Sequence, residues 1–129
     1  GLSAKRWRAQ KQQLIQTLTS KFQPRHIILT SLPPMHLFPA LPQPLRWYLG
    51  RHAKQLNQVL ASLVAAQPSA PAYCQQLTLS APMQPEYMAS DGFHPAAAAY
   101  KLWAQQVLDC VTAAEARLAP SCVGSVVSA

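Results

Sequence analysis

The sequence predicts an α/β fold in which two short strands pair in parallel and three helices pack against them. Three stretches, 3–22, 45–66 and 96–118, repeat apolar residues at the three-, four- and seven-residue spacings of amphipathic helices. Two shorter apolar runs, 26–31 and 73–79, are predicted strands. The order strand, helix, strand predicts a parallel pair with a right-handed crossover. With 129 residues, half of them hydrophobic, the chain is long enough for one small domain with a packed core.

Each predicted helix carries one apolar stripe that is expected to be buried. The first helix begins after Ser3, a residue type that caps helices, and ends before Pro24. Its stripe is formed by Trp7, Leu14, Ile15, Leu18 and Phe22. The stripe of the second helix is formed by Leu45, Tyr48, Leu49, His52, Leu56, Val59, Leu60 and Leu63. The stripe of the third is formed by Tyr100, Trp103, Val107, Val111 and Ala114.

The first predicted strand is a continuous run rich in β-branched residues, as in strands that are covered on both faces. His26 opens this run and is interpreted as a strand-end residue rather than a ligand. In the second strand, Leu77 and Leu79 are the clearest apolar positions. A two-stranded sheet is marginally stable alone. The pattern therefore predicts that further strands come from another segment.

The connection after the first strand, residues 32–44, contains five prolines. Proline fixes φ and lacks an N–H group, so this loop is predicted to be neither helix nor sheet. It leaves the carboxyl end of a strand, where ligands bind in open α/β sheets. Two of its side chains, Met35 and Phe38, are costly to leave in water. They are expected either to fill the core beneath the loop or to form the wall of a ligand pocket.

The connection after the second strand contains an acid and an imidazole three residues apart, in Asp91-Gly92-Phe93-His94-Pro95. Gly92 permits a tight turn that returns Asp91 towards His94. Pro95 suits the first position of a helix, so the third helix is predicted to begin there. A carboxylate bonded to one imidazole nitrogen leaves the other nitrogen able to act as a base. The alternative is an ordinary turn in which His94 only caps the helix.

These residues, followed by small residues and then by Tyr100 and Trp103, resemble the last conserved motif of the SGNH (GDSL-type) esterases and lipases. The resemblance implies a three-layer α/β/α, flavodoxin-like fold with a parallel sheet, of which this chain supplies about two strands and three helices. It implies a hydrolase of carboxylic esters with a Ser-His-Asp triad, in which His94 is the general base and Asp91 orients it. Met35 and Phe38 would then wall an acyl pocket, and neither a cofactor nor a metal is expected.

The chain lacks other motifs of that family. It has no Gly-Asp-Ser sequence, and its only asparagine, Asn57, lies mid-helix and does not match the family's Gly-x-Asn-Asp motif. We therefore expect residues 1–120 to form the C-terminal part of one domain, with the nucleophilic serine on an N-terminal segment that acts as a partner. Ser31 and Ser90 are less favoured nucleophiles, because neither lies in a G-x-S-x-G motif. Residues 121–129 are expected to form a flexible tail.

The net charge of +7 is unevenly distributed. Residues 1–66 contain nine Lys and Arg residues and no acid, whereas residues 67–129 contain two cations and four carboxylates. This asymmetry supports an alternative function, a non-enzymatic basic module that binds an acidic partner or polyanion. The favoured explanation is that the acidic complement lies on another segment, because no nucleic-acid-binding motif accompanies the charge. An inactive remnant of an esterase is a third interpretation.

The lengths of the apolar runs and the cysteine spacing exclude some further classes of protein. No run of about 18 apolar residues predicts a membrane span. The three cysteines, Cys74, Cys110 and Cys122, form no C-x-x-C motif, so neither a zinc site nor a thioredoxin-like site is indicated. Cys110 and Cys122 could form one disulfide, and three free thiols are equally consistent. The compartment stays open, with the cytoplasm slightly favoured. A small-molecule or lipid ester is the expected substrate.

Overall fold

The computed structural model describes residues 3–67, 73–81 and 84–118. Within them, helices and strands alternate along the chain, and a short 3-10 turn precedes each of the last two helices. The elements are α1 (Ala4–Phe22), β1 (His26–Thr30), a 3-10 turn (Met35–Leu37), α2 (Leu45–Ala65), β2 (Tyr73–Leu77), a second 3-10 turn (Pro85–Tyr87) and α3 (Ala97–Leu118). The predicted α/β class, with three helices and two strands, is confirmed.

The two strands form a parallel pair, as predicted. The register runs from His26 opposite Tyr73 to Thr30 opposite Leu77. Because the strands are parallel, their carboxyl ends lie at one edge of the sheet, and the two loops that were singled out in the sequence leave from that edge. Ser31 extends the pairing by one hydrogen bond, in which its N–H group donates to the Leu77 carbonyl oxygen at 2.9 Å.

Helix α1 has the predicted start. The Ser3 side chain accepts a hydrogen bond from the Arg6 N–H group, at 3.2 Å between Oγ and N, and so satisfies one of the unpaired amides of the first turn. The helix ends at Gln23, which adopts the left-handed conformation with φ of 47° and donates its N–H group to the Thr19 carbonyl. This type of ending satisfies a free carbonyl of the last turn.

The core lies between the helices and the sheet. Ile15 of α1, Ile27 of β1 and Leu63 of α2 are buried against one another. Partly buried side chains pack around this cluster, namely Leu18, Leu29 and Cys74. Ile15 and Leu63 were predicted from helical apolar spacing, and Ile27 from the continuous β-branched run of β1. Burying side chains of this size contributes about 1.5–3 kcal/mol each.

The predicted stripes are wrong near the helix ends and at Leu14, which lies in the middle of α1 and is 43% exposed. Phe22, at the end of α1, is 72% exposed, and Tyr100, near the start of α3, is 57% exposed. Near the start of α2, Leu45 and Tyr48 are exposed, and the buried face of that helix begins instead at Gly50. A helix of about 20 residues is about 30 Å long, whereas a five-residue strand spans about 17 Å. Apolar residues near the helix ends therefore extend beyond the sheet that covers the middle.

Helix α3 is tied to the first strand by a charged contact. Glu115 of α3 accepts from the guanidinium of Arg25, at 2.8 Å between Oε2 and Nη2, and its other oxygen lies 2.7 Å from His26 Nε2. His26 is the first residue of β1, as predicted. Among the described residues, no group of three or more His, Cys, Asp or Glu side chains could hold a metal ion. No helix in the same residues is long and apolar enough to span a membrane.

Cys74 and Cys110 carry free thiols. Burial raises the pKa of the Cys74 thiol. The Cys110 sulfur lies 2.6 Å from Gln75 Nε2, which donates to it. Cys122, the partner considered for Cys110, and the expected flexible tail 121–129 both lie outside the described residues.

Candidate active site

The Asp-x-x-His sequence lies in a turn that is closed like a small hairpin. Met88 and Pro95 form an antiparallel bridge. Inside it, the Ala89 N–H group donates to the His94 carbonyl at 2.8 Å, and the Gly92 N–H group donates to the Ala89 carbonyl at 3.0 Å. We name residues 88–95 the catalytic turn, for the role that we propose for it below.

Two backbone features shape this turn. Gly92 has φ of +64°, a conformation that side-chain-bearing residues rarely adopt, as the sequence predicted for a tight turn. The prediction that α3 begins at Pro95 is wrong, because Pro95 is held in the bridge to Met88 and the helix begins at Ala97. The Ala96 carbonyl accepts the first hydrogen bonds of that helix. Two residues therefore separate His94 from α3.

Asp91 organises the turn with both carboxylate oxygens. Oδ1 accepts hydrogen bonds from the N–H groups of Phe93 and His94, each at 2.9 Å. Oδ2 lies 2.5 Å from His94 Nδ1. The hydrogen bond to the His94 side chain, followed by the two backbone N–H groups, lowers the pKa of Asp91 to about 2. The carboxyl group is therefore ionised at neutral pH and acts only as an acceptor.

The ionised carboxylate determines the protonation of the imidazole. Because Asp91 Oδ2 can only accept, Nδ1 of a neutral His94 carries the proton and Nε2 carries the lone pair. The His94 side chain is 68% exposed, and Nε2 has no hydrogen-bond partner among the described residues. The Phe93 ring meets the imidazole edge to face, with 5.3 Å between the centroids. Nε2 therefore presents its lone pair to solvent, while Asp91 fixes the orientation of the ring through Nδ1.

The proline-rich loop lies against the catalytic turn. The Ala40 N–H group donates to the Gly92 carbonyl at 3.4 Å, and the rings of Phe38 and Phe93 are 5.5 Å apart. The prediction that this loop is neither helix nor sheet is wrong for three residues, because a 3-10 turn forms at Met35–Leu37. That turn crosses α2 at Gly50, where an added Cβ would lie 2.7 Å from the Cβ of His36.

Asn57 holds the start of this loop. Its Oδ1 accepts from the Leu32 N–H group at 2.8 Å, and its Nδ2 donates to the Leu32 carbonyl at 2.9 Å. The sequence placed Asn57 within a helix, which is correct, but gave it no role. An amide can replace a missing strand partner, because it presents an N–H donor and a carbonyl acceptor side by side. In the sequence, Asn57 is distinguished only by being the one asparagine of the chain, and this does not predict its bonds to the loop.

A cavity of about 710 Å³ opens beside the catalytic turn. It lies between the proline-rich loop, α2, the residues after β2 and the start of α3. The cavity wall is mainly apolar and includes Leu32, Leu37, Phe38, Ala53, Leu79, Met88, Phe93, Pro95 and Trp103. Phe38, one of the two residues predicted to line a pocket, lies in this wall, and its role stays a prediction. Met35 is half-buried on the same loop but is not among the lining residues, and His36 and Leu37 line the cavity there instead.

Neither of the two serines that were considered as nucleophiles is hydrogen-bonded to the His94 side chain. The Ser31 hydroxyl lies 3.0 Å from Thr78 Oγ1 and accepts from Gln76 Nε2 at 2.7 Å, so it links the ends of the two strands. Ser90 is an exposed residue of the catalytic turn. In the part of the chain that the structure describes, no serine hydroxyl is hydrogen-bonded to the imidazole of His94.

Comparison with models of known protein families identifies the family of the chain. The family model for GDSL-like lipases and acylhydrolases matches residues 2–107, which is most of the chain. The chain belongs to the GDSL-like lipase/acylhydrolase family. The resemblance seen in the sequence is confirmed at the level of the family, and membership supports an ester hydrolase of this type. Comparisons with curated proteins and with solved structures gave no significant match.

Proposed function

We propose that this chain supplies the general base and its orienting carboxylate to a serine ester hydrolase, and that the nucleophilic serine comes from another segment of the enzyme. His94 is the base and Asp91 the orienting residue. The observation that carries the proposal is the pairing of Asp91 Oδ2 with His94 Nδ1 at 2.5 Å while Nε2 is exposed. Family membership supports the reaction type.

The first half of the reaction acylates the serine. His94 Nε2 removes the hydroxyl proton as the serine oxygen attacks the ester carbonyl. The resulting imidazolium donates from Nδ1 to the Asp91 carboxylate, which stabilises its charge. Nε2 then returns the proton to the departing alcohol oxygen as the ester C–O bond breaks, and the acyl group stays on the serine. In the second half, His94 repeats both transfers with water as the nucleophile, which releases the acid.

The oxyanion that forms at the carbonyl needs hydrogen-bond donors of its own. In the family, a glycine and an asparagine supply such donors from other motifs. We assign Asn57 to holding the loop, because its Oδ1 and one N–H of its Nδ2 are bonded to Leu32. We propose that the donors lie on the same segment as the serine. This chain then contributes the proton-transfer half of the site.

The cavity beside the catalytic turn is the proposed acyl pocket. Phe93 and Pro95, which flank His94, both line it, so the reacting carbonyl would lie at its mouth. Phe38 lines the cavity and its ring lies 5.5 Å from that of Phe93, so it forms part of the wall next to the catalytic turn. Phe38 is carried into this proposal, whereas Met35, which lies outside the lining, is not.

The decisive variant is His94→Ala in the enzyme that contains the serine-bearing segment. We expect turnover of a p-nitrophenyl ester to fall by about 10³-fold or more, because the proton acceptor is removed. The matched control is His52→Ala, since His52 stacks on Tyr48 of α2 and lies outside the cavity lining. Near-normal turnover by His94→Ala, with both variants folded, contradicts the assignment.

The acyl pocket has a separate test. Phe38→Ala is expected to change the relative kcat/KM values for short and long acyl chains. It removes a ring from the pocket wall and so enlarges the space for the acyl group. The measurement is a series of p-nitrophenyl esters that differ only in acyl length, with Phe22→Ala as the control at an exposed ring. If Phe38→Ala leaves the order of preference unchanged, the cavity is not the acyl pocket.

A further inference from the structure

Arg46 holds the middle of the proline-rich loop with three hydrogen bonds. Its Nε donates to the Leu41 carbonyl at 2.6 Å, and its Nη2 donates to the Pro39 carbonyl at 2.9 Å. Its own backbone N–H group donates to the Pro42 carbonyl at 2.9 Å. Among the described residues, its guanidinium pairs with no carboxylate. The positive charge is therefore directed at backbone carbonyls.

The guanidinium suits this task better than an ammonium group. It presents donors in a rigid planar fork, so one side chain can bond two carbonyls that lie two residues apart. Proline at positions 39 and 42 leaves this stretch without two of its backbone donors. The segment can satisfy fewer carbonyls by pairing with itself. Arg46 supplies the missing partners and fixes the segment on α2.

The fixed segment is the part of the loop that touches the catalytic turn. Ala40, between the two carbonyls bound by Arg46, donates its N–H group to the Gly92 carbonyl at 3.4 Å. Phe38, at the start of the segment, has its ring 5.5 Å from that of Phe93. Gly92 and Phe93 are the two residues between Asp91 and His94. Contacts therefore run without a gap from the guanidinium to the residues that separate the acid and the base.

The catalytic turn needs such support because it is exposed. The side chains of Asp91 and His94 are 49% and 68% exposed, and the turn is bent at Gly92 with φ of +64°. Its internal hydrogen bonds fix the shape of the turn. They do not fix the direction in which Nε2 points relative to the rest of the domain. Proton transfer requires reacting atoms that are aligned to within a fraction of an ångström.

From these contacts we infer that Arg46 is a positioning residue for His94, which acts through residues 38–41 and not through substrate. The inference rests on the proposed function of His94. A residue that only stabilised the fold would lower the melting temperature and leave the kinetics of folded enzyme unchanged. A positioning residue instead lowers kcat of folded enzyme, because the base is misaligned in the transition state.

The test compares Arg46→Ala, Arg46→Lys and Arg51→Ala in the enzyme that contains the serine-bearing segment. Arg51 is a matched control, because it lies on the same helix and packs over the Trp47 ring. We expect Arg46→Ala to lower kcat about tenfold with KM changed less than about threefold. Arg46→Lys, which keeps the charge but not the fork, should recover less than half of the loss. Arg51→Ala should match the unaltered enzyme.

A second readout does not depend on turnover. The ¹⁵N shifts of His94 report whether Nδ1 or Nε2 carries the proton, and the ¹⁵N–¹H signals of Gly92 and Phe93 report the turn. In Arg46→Ala we expect both backbone signals to move, while Nδ1 keeps its proton because Asp91 still binds it within the turn. Arg51→Ala should leave all of them in place. If Arg46→Ala does not fold, Arg46→Lys gives the same comparison.

The outcomes separate the two proposals. If His94→Ala abolishes activity while Arg46→Ala and Arg46→Lys behave like Arg51→Ala, the positioning role is wrong and the catalytic role stands. If His94→Ala keeps its activity, the proposed function fails first. Loss of kcat in Arg46→Ala with unchanged signals from Gly92 and Phe93 would also overturn the inference, because the loss would not pass through the turn.

Discussion

Replacing Asp91 by asparagine changes one atom in the proposed site and inverts its hydrogen bonding. Asn Oδ1 can still accept from the Phe93 and His94 N–H groups, which now lie 2.9 Å from Asp91 Oδ1. The turn should therefore persist. The other oxygen becomes an NH₂ group that faces His94 Nδ1, so two donors meet unless the imidazole moves its proton to Nε2. In that tautomer, Nε2 has no lone pair with which to accept the serine proton.

The size of the effect follows from the exposure of the pair. In a buried triad, the wrong tautomer costs about 10⁴-fold in kcat. Here the two side chains are 49% and 68% exposed, so water can replace the asparagine at Nδ1 and part of the population keeps the productive tautomer. We expect a loss of about 10²- to 10³-fold, smaller than for His94→Ala because the base itself remains.

The assay is kcat/KM for a p-nitrophenyl ester, with the His94 tautomer measured by ¹⁵N NMR in the same variant. The expected result is the kinetic loss together with a shift towards the Nε2–H form. A loss of less than about fivefold would refute the reasoning. So would a full loss with an unchanged tautomer, because the carboxylate would then act in some other way.

Three further predictions concern the fold and the turn. Gly50→Ala should lower the free energy of unfolding by about 1–3 kcal/mol in urea melts, because the new Cβ would lie 2.7 Å from the Cβ of His36; a more stable variant would show that the loop yields easily. Gly92→Ala should reduce both melting temperature and activity, since φ is +64°, whereas Gly92→Asn should retain more of each, and equal effects would contradict this reason. Finally, the folded-state pKa of Asp91 is about 2, below its usual 3.8, so its stabilising contribution is complete above about pH 4 and is lost as pH falls to about 2. The stability difference from Asp91→Asn should shrink across that range, and a constant difference would contradict the low pKa.

The elements of the fold could be predicted from local signals. Ser3 marked the start of α1, prolines marked the loops, and β-branched residues marked β1, and the structure places each within two residues of expectation. These signals work because capping, proline geometry and strand preference act over a few residues. The parallel pairing also followed, since a helix that connects two strands allows little else.

The exposed ends of the helices could not be predicted in the same way. Periodicity shows which face of a helix is apolar, but not how far along the helix that face is covered. Phe22 and Tyr100 keep the spacing of buried residues and are exposed. The burial of Gly50 was not predicted, because it depends on the close approach of His36 from the proline-rich loop.

The part of the candidate site that lies within one turn could be predicted from the sequence. The part that depends on residues far apart in the sequence could not. Asp91 and His94 lie three residues apart, so their pairing follows from one turn. Arg46 and Asn57 lie far from them in sequence and reach the site through the backbone of the proline-rich loop. Side chains that bond backbone carbonyls and amides leave no pattern in a single sequence. Only the three-dimensional path of the loop reveals them.

In the proposed mechanism, His94 activates a serine on another segment of the enzyme. A fluorophosphonate probe reacts with such a serine, and intact-mass spectrometry shows which segment gains the adduct and how fast. We predict an adduct outside residues 1–129, formed at least about 10³-fold more slowly in His94→Ala than in the unaltered enzyme or in His52→Ala. An adduct on this chain, or a labelling rate that His94→Ala leaves unchanged, would contradict it.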